Sequence, residues 1–147
     1  MTEGSTGNLT LAIIKPDAFG SGNAGKVLAA LETAGFKIRG ARVTRLSRAA
    51  AEAFYAVHRE RPFFGSLVEF MISGPCMPLA LEHERAVPYL REVIGATDPA
   101  EAAEGTIRAM YAESKERNAI HASDSDENAR IELAHFFSGV DLIATAS

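Results

Sequence analysis

Asn118-Ala119-Ile120-His121-Ala122-Ser123-Asp124-Ser125 closes a short apolar run and opens a polar turn. Residues 118–121 suit a brief final strand. After Ser125 a helix is expected, with Ala129, Leu133, Phe136 and Phe137 on one face and Gly139 as its stop. An imidazole is thereby set at a strand end, beside a hydroxyl and the unpaired N–H groups of a helix start. Such a place suits a nucleophile working next to an oxyanion.

Toward the N-terminus the same alternation of strand and helix repeats. Leu9–Ile14 is an apolar run fit for a buried strand, stopped by Lys15-Pro16-Asp17. A glycine-bearing loop, residues 20–23, leads to a helix with Ala24, Val27, Leu28 and Leu31 on one face and Gly35 beyond its end. Phe36, Ile38 and Val43 mark a second strand reaching about Leu46. Ser47 then caps an alanine-rich helix carrying Phe54 and Val57. Arg61-Pro62-Phe63-Phe64-Gly65 precedes a helical stretch, residues 66–72, closed by Ser73-Gly74-Pro75. A third strand is expected over residues 76–81, although Pro78 lacks the donor a central strand uses. A helix over residues 85–94 ends at Gly95, with Pro88 tolerable in its first turn. Residues 96–117 are polar and weakly periodic; a stretch of that length is functional or is held by a partner subunit. The order β-α-β-α-β-α-β-α implies a sheet covered by helices on at least one face.

Composition narrows the class. The chain has 147 residues, 47% hydrophobic and 23% charged, which fits one domain over residues 9–147 behind a disordered tail at 1–8. A net charge of −4 argues against a general nucleic-acid binder. The single cysteine, Cys76, fits a reducing compartment and a buried packing role. With no signal-type apolar segment and no membrane-length apolar window, a cytoplasmic protein is expected.

Of the four histidines, His58, His83 and His135 read as surface or packing residues, and only His121 has neighbours suited to chemistry. Lys15 ends the first strand, where a long cation reaches over the sheet edge. No phosphate loop of the Walker kind and no kinase-type glycine loop is present, so phosphate chemistry here would rely on side-chain cations. Neither the histidines nor Cys76 show the spacing of a metal site.

The stretch around His121 closely resembles the active-site signature of nucleoside diphosphate kinases. The resemblance extends through Ile14-Lys15-Pro16-Asp17, Arg61-Pro62-Phe63-Phe64, Ser73-Gly74-Pro75, Gly95-Ala96-Thr97-Asp98-Pro99 and Gly105-Thr106-Ile107-Arg108, in order and at compatible spacing. It implies a ferredoxin-like α+β sandwich, a four-stranded antiparallel sheet with helices on one face. It also implies an enzyme that moves the terminal phosphate of a nucleoside triphosphate, typically ATP, to a nucleoside diphosphate by a ping-pong route, maintaining NTP and dNTP pools. Carried over residue by residue, it makes His121 the nucleophile, phosphorylated at its pros nitrogen, with Glu132 bonded to the far ring nitrogen. Lys15, Arg91, Thr97 and Arg108 match phosphate-holding positions, Asn118 a sugar contact and Phe63 the ring under the base. Tyr55 and Ser123 match supporting residues. Mg²⁺ is implied as the cofactor, bridged to nucleotide phosphates with little direct protein ligation. A homo-oligomer, hexamer or tetramer, is implied as well, with residues 96–117 at subunit contacts.

The chain departs from the family pattern at Ala122, where glycine is common, at His83 in place of a glycine, and at Pro78 and Pro88. Met110 stands where an aspartate is usual. Two rival readings follow: a catalytically silent relative with an interaction role, and a nucleic-acid module built on the same sheet. The second wants exposed strand aromatics, which Leu9–Ile14 lacks.

Overall fold

The computed structural model describes residues 8–144, so most of the expected N-terminal tail lies outside the described residues. Four strands, β1 (Leu9–Ile14), β2 (Lys37–Ala41), β3 (Met77–Glu82) and β4 (Ile120–Ala122), form one sheet in the order β2-β3-β1-β4. Each neighbouring pair is antiparallel, which gives the expected ferredoxin-like α+β sheet. Apart from Thr10, the central strand β1 is apolar, because both of its faces are covered. Leu11 and Ile13 join one core with Phe54, Val68, Met71 and Leu133. Ala12 and Ile14 join a second core with Val27, Leu31, Leu90 and Ile94. Each such aliphatic side chain, fully buried, contributes about 1.5–3 kcal/mol.

Helices therefore lie on both faces, not on one. Over the first core lie α3 (Arg48–Phe54), α4 (Phe64–Met71) and α7 (Asp126–Ala134). Over the second lie α2 (Ala24–Thr33), α5 (Ala86–Ile94) and α6 (Ile107–Tyr111).

Several boundaries differ from the sequence expectation. Pro16 does not merely stop β1; it stands at the start of a short helix, α1 (Pro16–Gly20), where its missing N–H is no loss. Strand β2 ends at Ala41, and the expected extension survives only as an isolated bridge from Thr44 to Cys76, with Val43 exposed. Val57 falls in a 3₁₀ turn (Ala56–His58) and is exposed, not packed. Pro78 sits second in β3, and its carbonyl accepts from Arg42 N–H, just past the end of β2. In an antiparallel strand the N–H and C=O of one residue point the same way. The donor that Pro78 lacks would thus face the point where β2 has already stopped. Pro88 lies in the first turn of α5, and Gly95 closes that helix with φ 88°. Residues 96–117 are not irregular throughout, since they contain a 3₁₀ turn (Pro99–Glu101) and α6. Helix α7 ends at Ala134, so Phe136 and Phe137 are buried beyond it, and Gly139 begins α8 (Gly139–Ala144) where a stop was expected.

Candidate active site

The C-terminal end of β1 and the edge strand β4 face a cleft of about 830 Å³. Lys15, Tyr55, Phe63, Arg91, Thr97, Arg108, Asn118, His121 and Glu132 all line it. The chain thus brings together residues scattered from position 15 to 132, among them three cations, one imidazole and one exposed aromatic ring. Ser123 lies behind this wall, fully buried, and reaches the site through Glu132.

His121 is held from one side. Its Nε2 lies 2.8 Å from Glu132 Oε1, and the Ser123 hydroxyl donates to the same oxygen at 2.7 Å. The register Ile13–His121 fixes the backbone of β4 against β1, while Ser125 caps α7, the helix that carries Glu132. Phe54 meets the imidazole edge-on at 5.3 Å. Burial holds the His121 pKa below its ordinary value, with Lys15 and Arg108 adding to the effect and Glu132 opposing it. The ring is then neutral at pH 7. With its N–H on Nε2 donated to the carboxylate, the lone pair resides on Nδ1.

The cations are tied into the frame. Lys15 Nζ donates to Asn118 Oδ1 at 2.8 Å, and Asn118 Nδ2 donates to the Thr97 carbonyl at 3.3 Å. Arg108 donates to the carbonyls of Asn118, Gly95 and Ile120. Gly95 has no room for a side chain, since a Cβ there would meet Thr106 Oγ1 at 2.5 Å. Burial first, and Arg108 second, bring the Lys15 pKa down to about 8. Arg108 is pushed down to about 10 by burial and by Arg91. Three positive groups converging in a partly buried site raise its affinity for a polyanion. Tyr55 is buried with its hydroxyl unpartnered among the described residues, and burial pushes its pKa far up, so it stays protonated.

Of the remaining singled-out residues, His83 and Cys76 serve packing. His83 stacks on Tyr89 at 4.4 Å. His58 and His135 lie against Phe63 and Phe54 at the cleft wall. Cys76 is buried and its thiol is pushed up to about 11. Met110 is half exposed on α6.

Lys115, Glu116, Asp124 and Asn128 also line the cleft and were not anticipated. Glu116 accepts from Ser66 Oγ at 2.7 Å. Charged residues in a polar stretch carry no signal that separates a cleft wall from solvent. Among the described residues no group of His, Cys, Asp and Glu is arranged to cage a metal ion. Among the described residues, helices cover both faces of the sheet. No helix among the described residues is long and apolar enough to cross a membrane.

Comparison with known proteins points to one family. The family model described as nucleoside diphosphate kinase matches residues 8–142. A nucleoside diphosphate kinase of Chlorobaculum parvum is 56% identical over 91% of this chain and 96% of its own length. That of Chloroherpeton thalassium is 55% identical over 92% and 96%. Among solved structures, the Aquifex aeolicus enzyme superposes with a TM-score of 0.89 at 47% identity, covering 91% of this chain and 97% of that one. A halophilic nucleoside diphosphate kinase from Halobacterium salinarum, in complex with CDP, superposes at 0.86 with 36% identity, covering 90% and 89%. The chain belongs to the nucleoside diphosphate kinase family.

Proposed function

We propose that His121 carries the phosphate in the reaction this chain catalyses, transfer of the terminal phosphate of a nucleoside triphosphate to a nucleoside diphosphate. The observation that carries the reading is the Nε2–Glu132 hydrogen bond of 2.8 Å, which leaves Nδ1 as the nucleophilic nitrogen in a cleft lined by Lys15, Arg91 and Arg108. Nδ1 attacks the γ-phosphorus, a P–N bond forms, and the bond from that phosphorus to the β,γ-bridging oxygen breaks. The diphosphate leaves with the electron pair of the broken bond. Glu132 supports the positive charge the ring gains, and Ser123 keeps the carboxylate in place. A second diphosphate then attacks the phosphohistidine and reverses the step, giving ping-pong kinetics.

Lys15, Arg91 and Arg108 hold the phosphates and offset charge developing on them. The Tyr55 hydroxyl and the Thr97 segment border the same path. Phe63 offers a ring face to the base and Asn118 a polar contact to the sugar. Mg²⁺ fits the site as the counterion of the nucleotide phosphates, where it supplies further charge neutralisation.

A homo-oligomer of four or six subunits, in the cytoplasm, completes the reading. Sedimentation at micromolar concentration tests it; a clean monomer contradicts it. The catalytic reading is tested by incubating the chain with γ-labelled ATP, isolating the phosphoenzyme and discharging it with a second nucleoside diphosphate.

A further inference from the structure

Residues 118–120 make a tight turn of an uncommon kind. Ile120 N–H donates to the Asn118 carbonyl at 2.8 Å, across Ala119, whose φ is 75°. This is a γ-turn with positive φ, the rare and strained form. Ala119 is the one non-glycine residue with positive φ among the described residues. Backbone of this sort persists only where its surroundings enforce it, and it gathers at active sites.

The enforcement here comes from residues 15–17. Ala119 N–H donates to Asp17 Oδ2 at 3.0 Å, and the Ala119 carbonyl accepts from Lys15 N–H at 2.9 Å. Both backbone groups of the strained residue are thus bound to the turn that ends β1. Asp17 is 5% exposed and follows Pro16 in α1, so its carboxylate is not free to wander. The γ-turn has two consequences. It directs the Asn118 side chain to Lys15 Nζ, and it delivers the chain into β4, where His121 pairs with Ile13.

We propose that Asp17 is a positioning residue for phosphoryl transfer: by accepting the Ala119 N–H it holds the γ-turn that sets Asn118 and Lys15 against His121. The proposal rests on His121 as the phosphate carrier. Asp17 does not line the cleft; it acts through Ala119. Two properties of the carboxylate are separable, its acceptor oxygen and its charge. Asp17→Asn keeps an acceptor, whereas Asp17→Ala removes both. Strain is separable too, because glycine reaches positive φ without the penalty that a Cβ imposes.

The experiment compares kcat/KM at pH 7 for the full chain and for Asp17→Ala, Asp17→Asn, Ala119→Gly and Asp17→Ala/Ala119→Gly, with circular dichroism to check folding. Asp17→Ala is expected to lose about 100-fold, the scale of a displaced reacting group. Ala119→Gly alone should change little. The double variant should recover at least about tenfold over Asp17→Ala, because the turn no longer needs enforcement. Asp17→Asn should stay within about tenfold of the parent. An unchanged Asp17→Ala, or a double variant no better than the single one, overturns the proposal. Should Asp17→Ala not fold alone, a double variant that folds supports it. If neither folds, Asp17→Asn decides, since a loss near 100-fold there would make charge, not the acceptor, what matters. His121→Asn run alongside separates the two readings: if it still forms phosphoenzyme, the assignment of His121 fails whatever Asp17 does.

Discussion

Glu132 Oε1 lies 2.8 Å from His121 Nε2, on a side chain that helix α7 delivers to a strand residue of β4. In the proposed reading the carboxylate selects the ring tautomer and balances the charge gained on phosphorylation. Glu132→Gln keeps the shape but removes the charge, and its amide can also donate to Nε2, which would put the ring proton on Nδ1. The rate of His121 phosphorylation is expected to fall about 10–100-fold, the scale seen for groups that orient a ligating histidine. Nucleotide affinity should hardly move, because the change acts on the nucleophile. Single-turnover rates over a range of ATP concentration check both halves. A variant matching the parent in rate would show that something else sets the tautomer.

Lys15 gives the enzyme an alkaline limit. Its pKa is brought down to about 8 from an ordinary 10.5, mainly by burial. As pH rises through about 8 the free enzyme loses a phosphate-binding charge, so kcat/KM for ATP should fall there. The stability effect has the opposite sign. Between about 8 and 10.5 the unfolded chain holds a proton on this lysine that the folded chain has released. Stability from this group therefore rises with pH across that window. Thermal melts of the parent and of Lys15→Met should show the parent gaining on the variant from pH 8 upward. A gap that does not change with pH would mean that Lys15 titrates at its ordinary value.

At the acid end, His121 titrates below the ordinary histidine value of 6.5 because burial disfavours the imidazolium. Phosphorylation should therefore persist as pH falls from neutral past the ordinary histidine value, and fail only at lower pH as the nucleophile gains a proton. The rate of phosphoenzyme formation against pH reads this directly. A decline already under way above pH 7 would place the pKa on the wrong side.

Purine and pyrimidine nucleotides, ribose and deoxyribose alike, should all serve as acceptors. Phe63 is 45% exposed at the cleft and presents a ring face that any base can use. In the proposed reading Lys15, Arg91 and Arg108, which line the cleft, act on phosphates common to every substrate. With stacking as the discriminating contact, kcat/KM for GDP, CDP, UDP and dTDP should spread by about 10–200-fold, with guanine favoured over cytosine. Near-total rejection of one base class would point to a reader of base edges, for which Glu116 in the cleft wall is the first residue to change.

The fold was legible where the sequence carries an unambiguous period or stop. Leu9–Ile14 announces a buried strand, Ser47 caps the helix expected of it, a helix follows Ser125, and Gly95 ends α5. Short elements escaped notice. Helix α1 is five residues and α6 is five, too few for a helical period to show. The Phe136–Phe137 pair continues the spacing of α7 but packs beyond its end, since burial and not periodicity fixes those rings. As for the site, the signature around His121 marks one residue, and the resemblance supplies the rest by position. Composition could not say that Lys15 meets Asn118 across 103 positions, because only the antiparallel register of β1 and β4 brings them together. Asp17 was hidden for a similar reason. Its partner is a backbone N–H in a turn whose strain leaves no mark on the identity of Ala119.

The central claim is that one nitrogen on His121 carries the phosphate. The most direct measurement incubates the chain with γ-labelled ATP, then quantifies label on the parent and on His121→Asn, His58→Asn, His83→Asn and His135→Asn. The parent and the other three variants should take up close to one acid-labile, base-stable phosphate per chain, discharged by a second nucleoside diphosphate, with His121→Asn unlabelled. Peptide mapping should find the phosphate on Nδ1, the nitrogen not bonded to Glu132. Label persisting on His121→Asn, or found on Nε2, contradicts the account.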